Sequence, residues 1–171
     1  LHEPIVAELA TRGIQRDQIL SLAVFTTNNP AEEMFRATDT ARELPPPVLQ
    51  GDLVCSNPSS VLRVCRGTYR HANFQSGTPP YNEQGSGDIV FDSNGRATVQ
   101  RMEDINFSLA LPRTEPPVGG WPVVIYAHGT GGGQNSHIND GTASALALRN
   151  MASIGFDQVF NGARVVPNMG T

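Results

Sequence analysis

An α/β unit preceded by a β-rich region is the fold the sequence predicts, and three observations predict it. The run Trp121-Pro122-Val123-Val124-Ile125-Tyr126-Ala127 is almost continuously apolar, the pattern of a strand buried on both faces. It ends in His128-Gly129-Thr130-Gly131-Gly132-Gly133, a loop with four glycines. Beyond the loop, Ala145, Leu146, Leu148, Met151 and Ala152 cover one side of a predicted helix from about Gly141 to Ile154. Asp140 is placed to cap that helix, Gly155 to stop it, and Phe156 to Phe160 resume a strand. Strand, glycine loop, helix and strand make a βαβ unit with a right-handed crossover.

The chain has 171 residues, enough for one domain with a real core. Charged residues are only 16%, against about 25% in an average soluble domain. Glycine and proline together make about one residue in six, which favours strands and shaped loops over a helical bundle. A net charge of −4 excludes a nucleic-acid module held by a basic surface. All 12 basic residues are arginine, so chemistry that needs a Schiff-base or phosphate-loop lysine is excluded. No window approaches a membrane-spanning apolar run. The chain starts at Leu1 and ends abruptly after Val165-Val166, so a piece of a longer protein is expected.

In chain order, Glu8 to Arg12 reads as the last turns of a helix stopped by Gly13. Ile19 to Thr26 is rich in apolar and β-branched residues and reads as a strand. After Asn28-Asn29-Pro30, the spacing of Met34, Ala37 and Ala41 predicts a helix over Ala31–Arg42, with Glu32 and Glu33 suited to its N-terminal dipole. Pro45-Pro46-Pro47 is a stiff spacer and sets the expected boundary between residues 1–44 and 45–171. From about Val61 to Leu111 the reading is entirely β. Within it, Asp88–Phe91 and Ala97–Gln100 flank Asn94-Gly95, a strong hairpin signal. Ile105, Phe107, Leu109 and Leu111 alternate with Asn106, Ser108 and Ala110, which predicts one apolar strand face.

Cys55 and Cys65 are the only cysteines, and they flank the turn signal Asn57-Pro58-Ser59-Ser60. Two strands folding back there would bring the sulfurs within bonding range, so a disulfide is expected. Free buried thiols are the alternative, and metal-binding C-x-x-C spacing is missing. A disulfide places the chain in an oxidising compartment: periplasm, cell surface or exterior. His2, His71, Asp88 and Glu103 show no metal-ligand spacing, and neither a metal nor a cofactor is expected.

A glycine loop leaving a strand has three candidate uses. A dinucleotide site wants G-x-G-x-x-G opening into the helix, but Gln134 stands where the third glycine should be. A P-loop is excluded by the missing Gly-Lys-Ser/Thr. The third use is an oxyanion hole, whose backbone N–H groups face the charge of a tetrahedral intermediate.

The segment Pro122 to Gly132, PVVIYAHGTGG, resembles the third strand and oxyanion loop of α/β-hydrolase-fold esterases and lipases. With Trp121-Pro122, Asp140-Gly141-Thr142-Ala143 and Gly155-Phe156-Asp157-Gln158, the chain is similar to bacterial exported lipases of the virulence-factor group. The match is best over residues 88–164. That resemblance makes residues 45–171 a β-rich lead-in plus the first βαβ of an incomplete hydrolase domain. It makes residues 1–44, a strand plus a helix, the end of an immunoglobulin-like accessory portion. It implies backbone donors at Thr130 and Gly131, with His128, Gly129 and Gly132 shaping the loop. Where such enzymes often carry His-Gly after the fourth strand, this chain has Asn161-Gly162. No serine here has glycine at both −2 and +2, so the nucleophile and triad lie outside the chain.

The expected function is therefore a fragment of a serine carboxylic-ester hydrolase acting on an ester or lipid. Its partner is the remainder of that chain, or a subunit covering an open sheet edge, and nucleic acid is not a partner. The alternative is a non-catalytic surface or assembly module that keeps the strand and loop. On plainer readings, His128 braces the loop, His137 is solvated, Asp140 is a cap and Asp157 pairs with Arg164.

Overall fold

The computed structural model describes residues 2–166, apart from Thr26, Asn28 and the side chain of Pro30. The chain divides into two compact units, one ending at Phe35 and one beginning at Arg36. In the first, helix α1 (Glu3–Thr11) ends as expected at Gly13, whose φ of +85° suits a residue without a Cβ. Arg16 pairs with Glu3 at 2.7 Å across the following turn. The strand expected from Ile19 does not form over Ile19–Phe25, and Thr26 lies outside the described residues. Among the described residues no strand offers a ladder there, and Leu20 and Phe25 are left 103% and 80% exposed. Helix α2 (Pro30–Glu43) does form, and the division between the units falls within it.

The second unit is built on five strands: β1 (Val48–Ser56), β2 (Leu62–Asn73), β3 (Arg101–Pro112), β4 (Val123–Tyr126) and β5 (Ala152–Phe156). Their order is β1-β2-β3-β5-β4, antiparallel throughout except for the parallel pair β4–β5. Two short helices, α3 (Ser136–Asn139) and α4 (Thr142–Ala147), connect β4 to β5. The expected pairing of the two α/β strands is present, but its phase is shifted. The helix stops at Ala147 rather than Ile154, and the strand occupies Ala152–Phe156 instead of 156–160. Asn150, at φ +56°, turns the chain early enough for Ser153 to Phe156 to bridge β3 and β4.

Cys55 and Cys65 face each other across β1 and β2, Cα to Cα 4.0 Å, and form the disulfide. Closing so short a loop stabilises by about 2–3 kcal/mol through loop-closure entropy. The region from Val61 to Leu111 is less regular than expected. Between β2 and β3 the chain makes only isolated bridges, Gln75 to Ile89 and Phe91 to Ala97, around the Asn-Gly turn. The C-terminal half of α2 packs there, with Thr40 Oγ1 accepting the Ala97 N–H at 3.0 Å.

The core lies between the sheet and α4, where Leu62, Val64 and Ala110 meet Ala143 and Ala147. Burying side chains such as Leu62 and Val64 contributes about 1.5–3 kcal/mol each. The expected apolar face of β3 is present, but it is not the face that the helices cover. Alternation puts Ser108, Ala110 and Pro112 on the helix-covered side and Ile105, Phe107 and Leu109 on the other. Strand β4 is likewise not buried on both faces. It ends the sheet, and Val123 and Ile125 are 58% and 71% exposed.

Candidate functional site

Strand β4 delivers the chain to His128, which is buried. Its Nδ1 lies 2.8 Å from the Gly129 carbonyl, an oxygen that only accepts, so Nδ1 carries the proton. Nε2 is then the acceptor, and it takes the Gln158 N–H at 3.4 Å. The Gln158 side chain returns a bond to the His128 carbonyl at 3.2 Å. Residues 129–132 make a four-residue turn closed by the Gly132 N–H on the Gly129 carbonyl at 3.0 Å. Its third position is Gly131 at φ +78°, where a side chain would be strained. A Cβ on Gly132 would lie 2.7 Å from His128 Nδ1, so the histidine and the turn demand each other.

The loop's N–H groups are engaged from Gly131 onward, whereas those of Gly129 and Thr130 have no acceptor among the described residues. Gly131 donates to Asn161 Oδ1 at 3.0 Å, and Gly132 to Gly129 as above. Gly133 donates to Ser136 Oγ at 3.0 Å and Gln134 to Asp157 Oδ1 at 2.8 Å. Thr130 is exposed, and its N–H has no acceptor among the described residues. The Gly129 carbonyl is held by two donors, and a trans peptide points its N–H opposite its C=O. The Thr130 N–H is therefore aimed away from the protein. Of the two expected donors, Thr130 is open and Gly131 is engaged by Asn161.

A second segment, residues 157–164, moulds this loop. Asp157 is 2% exposed, and its other oxygen accepts the Ala163 N–H at 3.0 Å. The expected Asp157–Arg164 ion pair is absent: Arg164 reaches only the Asp157 carbonyl, at 3.3 Å. Its guanidinium pairs instead with Glu103 of β3 at 2.5 Å, and Arg101 holds the other Glu103 oxygen at 2.7 Å. The template is thereby tied to the sheet. Asp157, Gln158 and Asn161 were not legible as loop supports. The available signal was a cluster of short polar side chains following a strand.

His137 corrects another expectation. It is fully buried rather than solvated, and neither ring nitrogen makes a well-formed hydrogen bond among the described residues. It packs against the Tyr126 ring at 5.7 Å. Burial pushes its pKa down, against the opposing pull of the nearby Asp140 charge. Asp140 acts in capping, but from one residue further out than expected. Gly141 holds the N-cap position and the Asp140 carboxylate accepts the Thr142 N–H at 2.9 Å. Tyr126 donates its hydroxyl to the other Asp140 oxygen at 2.5 Å, which raises the tyrosine pKa and lowers that of the aspartate. Among the described residues no group of three His, Cys, Asp or Glu is placed to hold a metal ion.

No protein-family model matches the chain, and no curated protein does. Among solved structures, an acetyl xylan esterase from Paenibacillus sp. R4 is similar at 18% identity and a TM-score of 0.44. The similarity covers 78% of this chain and 33% of that one, so the chain spans about a third of that esterase's length.

Proposed function

We propose that this chain supplies the oxyanion loop of a serine carboxylic-ester hydrolase whose nucleophile and triad partners lie outside its 171 residues. One observation carries the reading. Of five consecutive N–H groups from Thr130 to Gln134, four are bonded within the protein and the Thr130 N–H faces outward without an acceptor. An unpaired backbone donor on a rigid loop is suited to a charge that develops only in the transition state.

In such an enzyme the serine hydroxyl gives its proton to a general base outside this chain as its oxygen adds to the ester carbonyl, and the carbonyl oxygen takes up the negative charge. The Thr130 N–H stabilises that oxygen until the C–O bond breaks and the alcohol leaves with the proton returned by that base. Water then splits the acyl-serine, releasing the carboxylic acid and restoring the serine. His128 takes no proton in this scheme, because both its nitrogens are committed to holding the loop. The remainder of the hydrolase chain is the proposed partner, lying along the open edge of β4. The disulfide is compatible with an extracellular location, and no helix among the described residues is long and apolar enough to cross a membrane.

The test uses the natural polypeptide that contains this chain. It should hydrolyse p-nitrophenyl acetate, and a fluorophosphonate should label a serine outside residues 1–171. Thr130→Pro deletes the donor and should lower kcat by about 10²–10³ with the circular dichroism spectrum unchanged. Unchanged turnover would mean that Thr130 is not the donor. The absence of a G-x-S-x-G serine here favours the alternative of a non-catalytic surface module. A natural protein that neither reacts with the probe nor splits the ester would establish that alternative.

A further inference from the structure

We infer that the molecule carries a second site, a pocket for a ring-bearing monocarboxylate held by Arg63 and Arg113 beside Trp121. Leu62 and Val64 turn into the helix-covered core, so alternation along β2 puts the exposed Arg63 on the open face of the sheet. Arg63 stands opposite Leu111 of β3. The ladder runs one step past the end of β3, where the Arg113 N–H donates to the Val61 carbonyl at 3.2 Å. Arg113 follows Leu111 by two residues and shares its face, which makes the two arginines diagonal cross-strand neighbours. Such neighbours stand on the order of 7–8 Å apart, so long side chains from both reach one small ligand.

Two guanidinium groups set side by side repel, and among the described residues neither is in an ion pair. Arg113 reaches only the Ser59 carbonyl, at 3.4 Å, and Arg63 has no partner. Other arginines of these strands are neutralised, Arg70 by Asp104 and Arg101 by Glu103. The two unpaired arginines line one cavity of about 380 Å³, together with Leu111, Pro116 and Trp121. The Trp121 indole N–H is closed off from solvent and also has no acceptor among the described residues. Guanidinium and indole groups only donate, and an ionised carboxylate only accepts. The guanidinium fork further suits the paired oxygens of a carboxylate. Glu115 borders the same cavity without pairing to either arginine. Two positive charges and one negative leave one positive charge to be met, which selects a monoanion over a dianion. Leu111, Pro116 and the Trp121 ring offer apolar contact to a ring that carries the carboxylate. Trp121 stands two residues before β4, whereas the glycine loop leaves the other end of that strand. The site is therefore separate from Thr130 and does not depend on the esterase reading.

The experiment titrates the natural polypeptide with benzoate, glucuronate and neutral benzamide by calorimetry. At low salt at least one of the two acids should bind with a Kd of about 1 mM or below, and benzamide at least about tenfold more weakly. Arg63→Gln and Arg113→Gln should each weaken acid binding on the order of 10-fold. Both positions are exposed, so the circular dichroism spectrum should not change. Arg63→Lys keeps the charge but not the fork and should recover only part of the loss. Glu115→Gln removes the competing carboxylate and should tighten binding. Benzoate binding alone makes the ring aromatic and glucuronate binding alone makes it a sugar, and either supports the site. No heat from either acid at about 10 mM overturns the inference. Benzamide binding as tightly as the acids overturns it too, as does acid binding that is unchanged in both glutamine variants.

Discussion

On one face of the sheet, Ser108, Ala110, Ser153 and Gly155 lie on the side where α3 and α4 pack, with exposures of 1% or less at the first three. On the other, Tyr69, Ile125, Ile154 and Phe156 border a cavity of about 470 Å³ that opens to solvent, and Ile125 is 71% exposed. The buried residues of β3 and β5 on the helix side are small, beside Leu62 and Val64 of β2, whereas on the other face Phe107 is buried and Ile125 is open. At Ser108 and Gly155 only small residues fit, because the Gln134 backbone and His137 come close to the sheet there. The Ser108 hydroxyl donates to the Gln134 carbonyl at 2.6 Å, and a Cβ on Gly155 would lie 2.5 Å from that same carbonyl and 2.6 Å from His137 Nδ1. The tight face positions the loop and its template, whereas the large face offers apolar area without a close-packed partner.

The contrast is broken most directly at Gly155. Gly155→Ala forces a methyl against a backbone carbonyl and a fully buried imidazole, and should destabilise the fold by about 2–3 kcal/mol in urea unfolding. A loss below about 0.5 kcal/mol would show that the helices are free to lift away from the sheet.

His137 sharpens the same comparison through pH. Its pKa is lowered in the folded state, so that state binds fewer protons than the unfolded chain just below the ordinary histidine value of about 6.5. The stability that neutral His137 allows is complete above that value and is lost as pH falls toward the depressed folded pKa. Unfolding measured between pH 7.5 and pH 5 should show a steeper loss in the parent than in His137→Gln, which has no titrating ring. Parallel curves would mean that the buried ring has access to water.

The smallest effect is expected on the open face. Ile125→Ser removes an exposed side chain and should change stability by no more than about 0.5 kcal/mol, while reducing binding of an apolar dye such as ANS. A destabilisation of 2 kcal/mol or more would mean that this face is packed in solution.

Much of the architecture was legible in short stretches. The Asn57-Pro58 turn between two cysteines places them opposite each other, and the disulfide follows from local strand pairing. The spacing of Met34, Ala37 and Ala41 located α2, and the apolar run before four glycines located β4 and the loop. The mistaken expectations share one cause. Ile19 to Phe25 has the composition of a strand, but a strand needs a neighbour to take its hydrogen bonds, and composition does not supply one. Residues 148–154 have helical spacing, but Ala152–Ile154 are drawn into β5 by pairing with both β3 and β4.

The sequence by itself determined a disulfide hairpin, a mixed α/β arrangement around a glycine loop, and the need for glycine at the turn of that loop. These follow from interactions within about ten residues, where spacing and φ preference suffice. Only the tertiary structure decided which face of the sheet is covered, that His137 is buried, and that Asp157, Gln158 and Asn161 hold the loop from 23 to 30 residues downstream. Hydrogen bonds between distant segments depend on where the sheet brings their backbones. A short polar side chain after a strand therefore reveals its partner only once the strands on either side are in register.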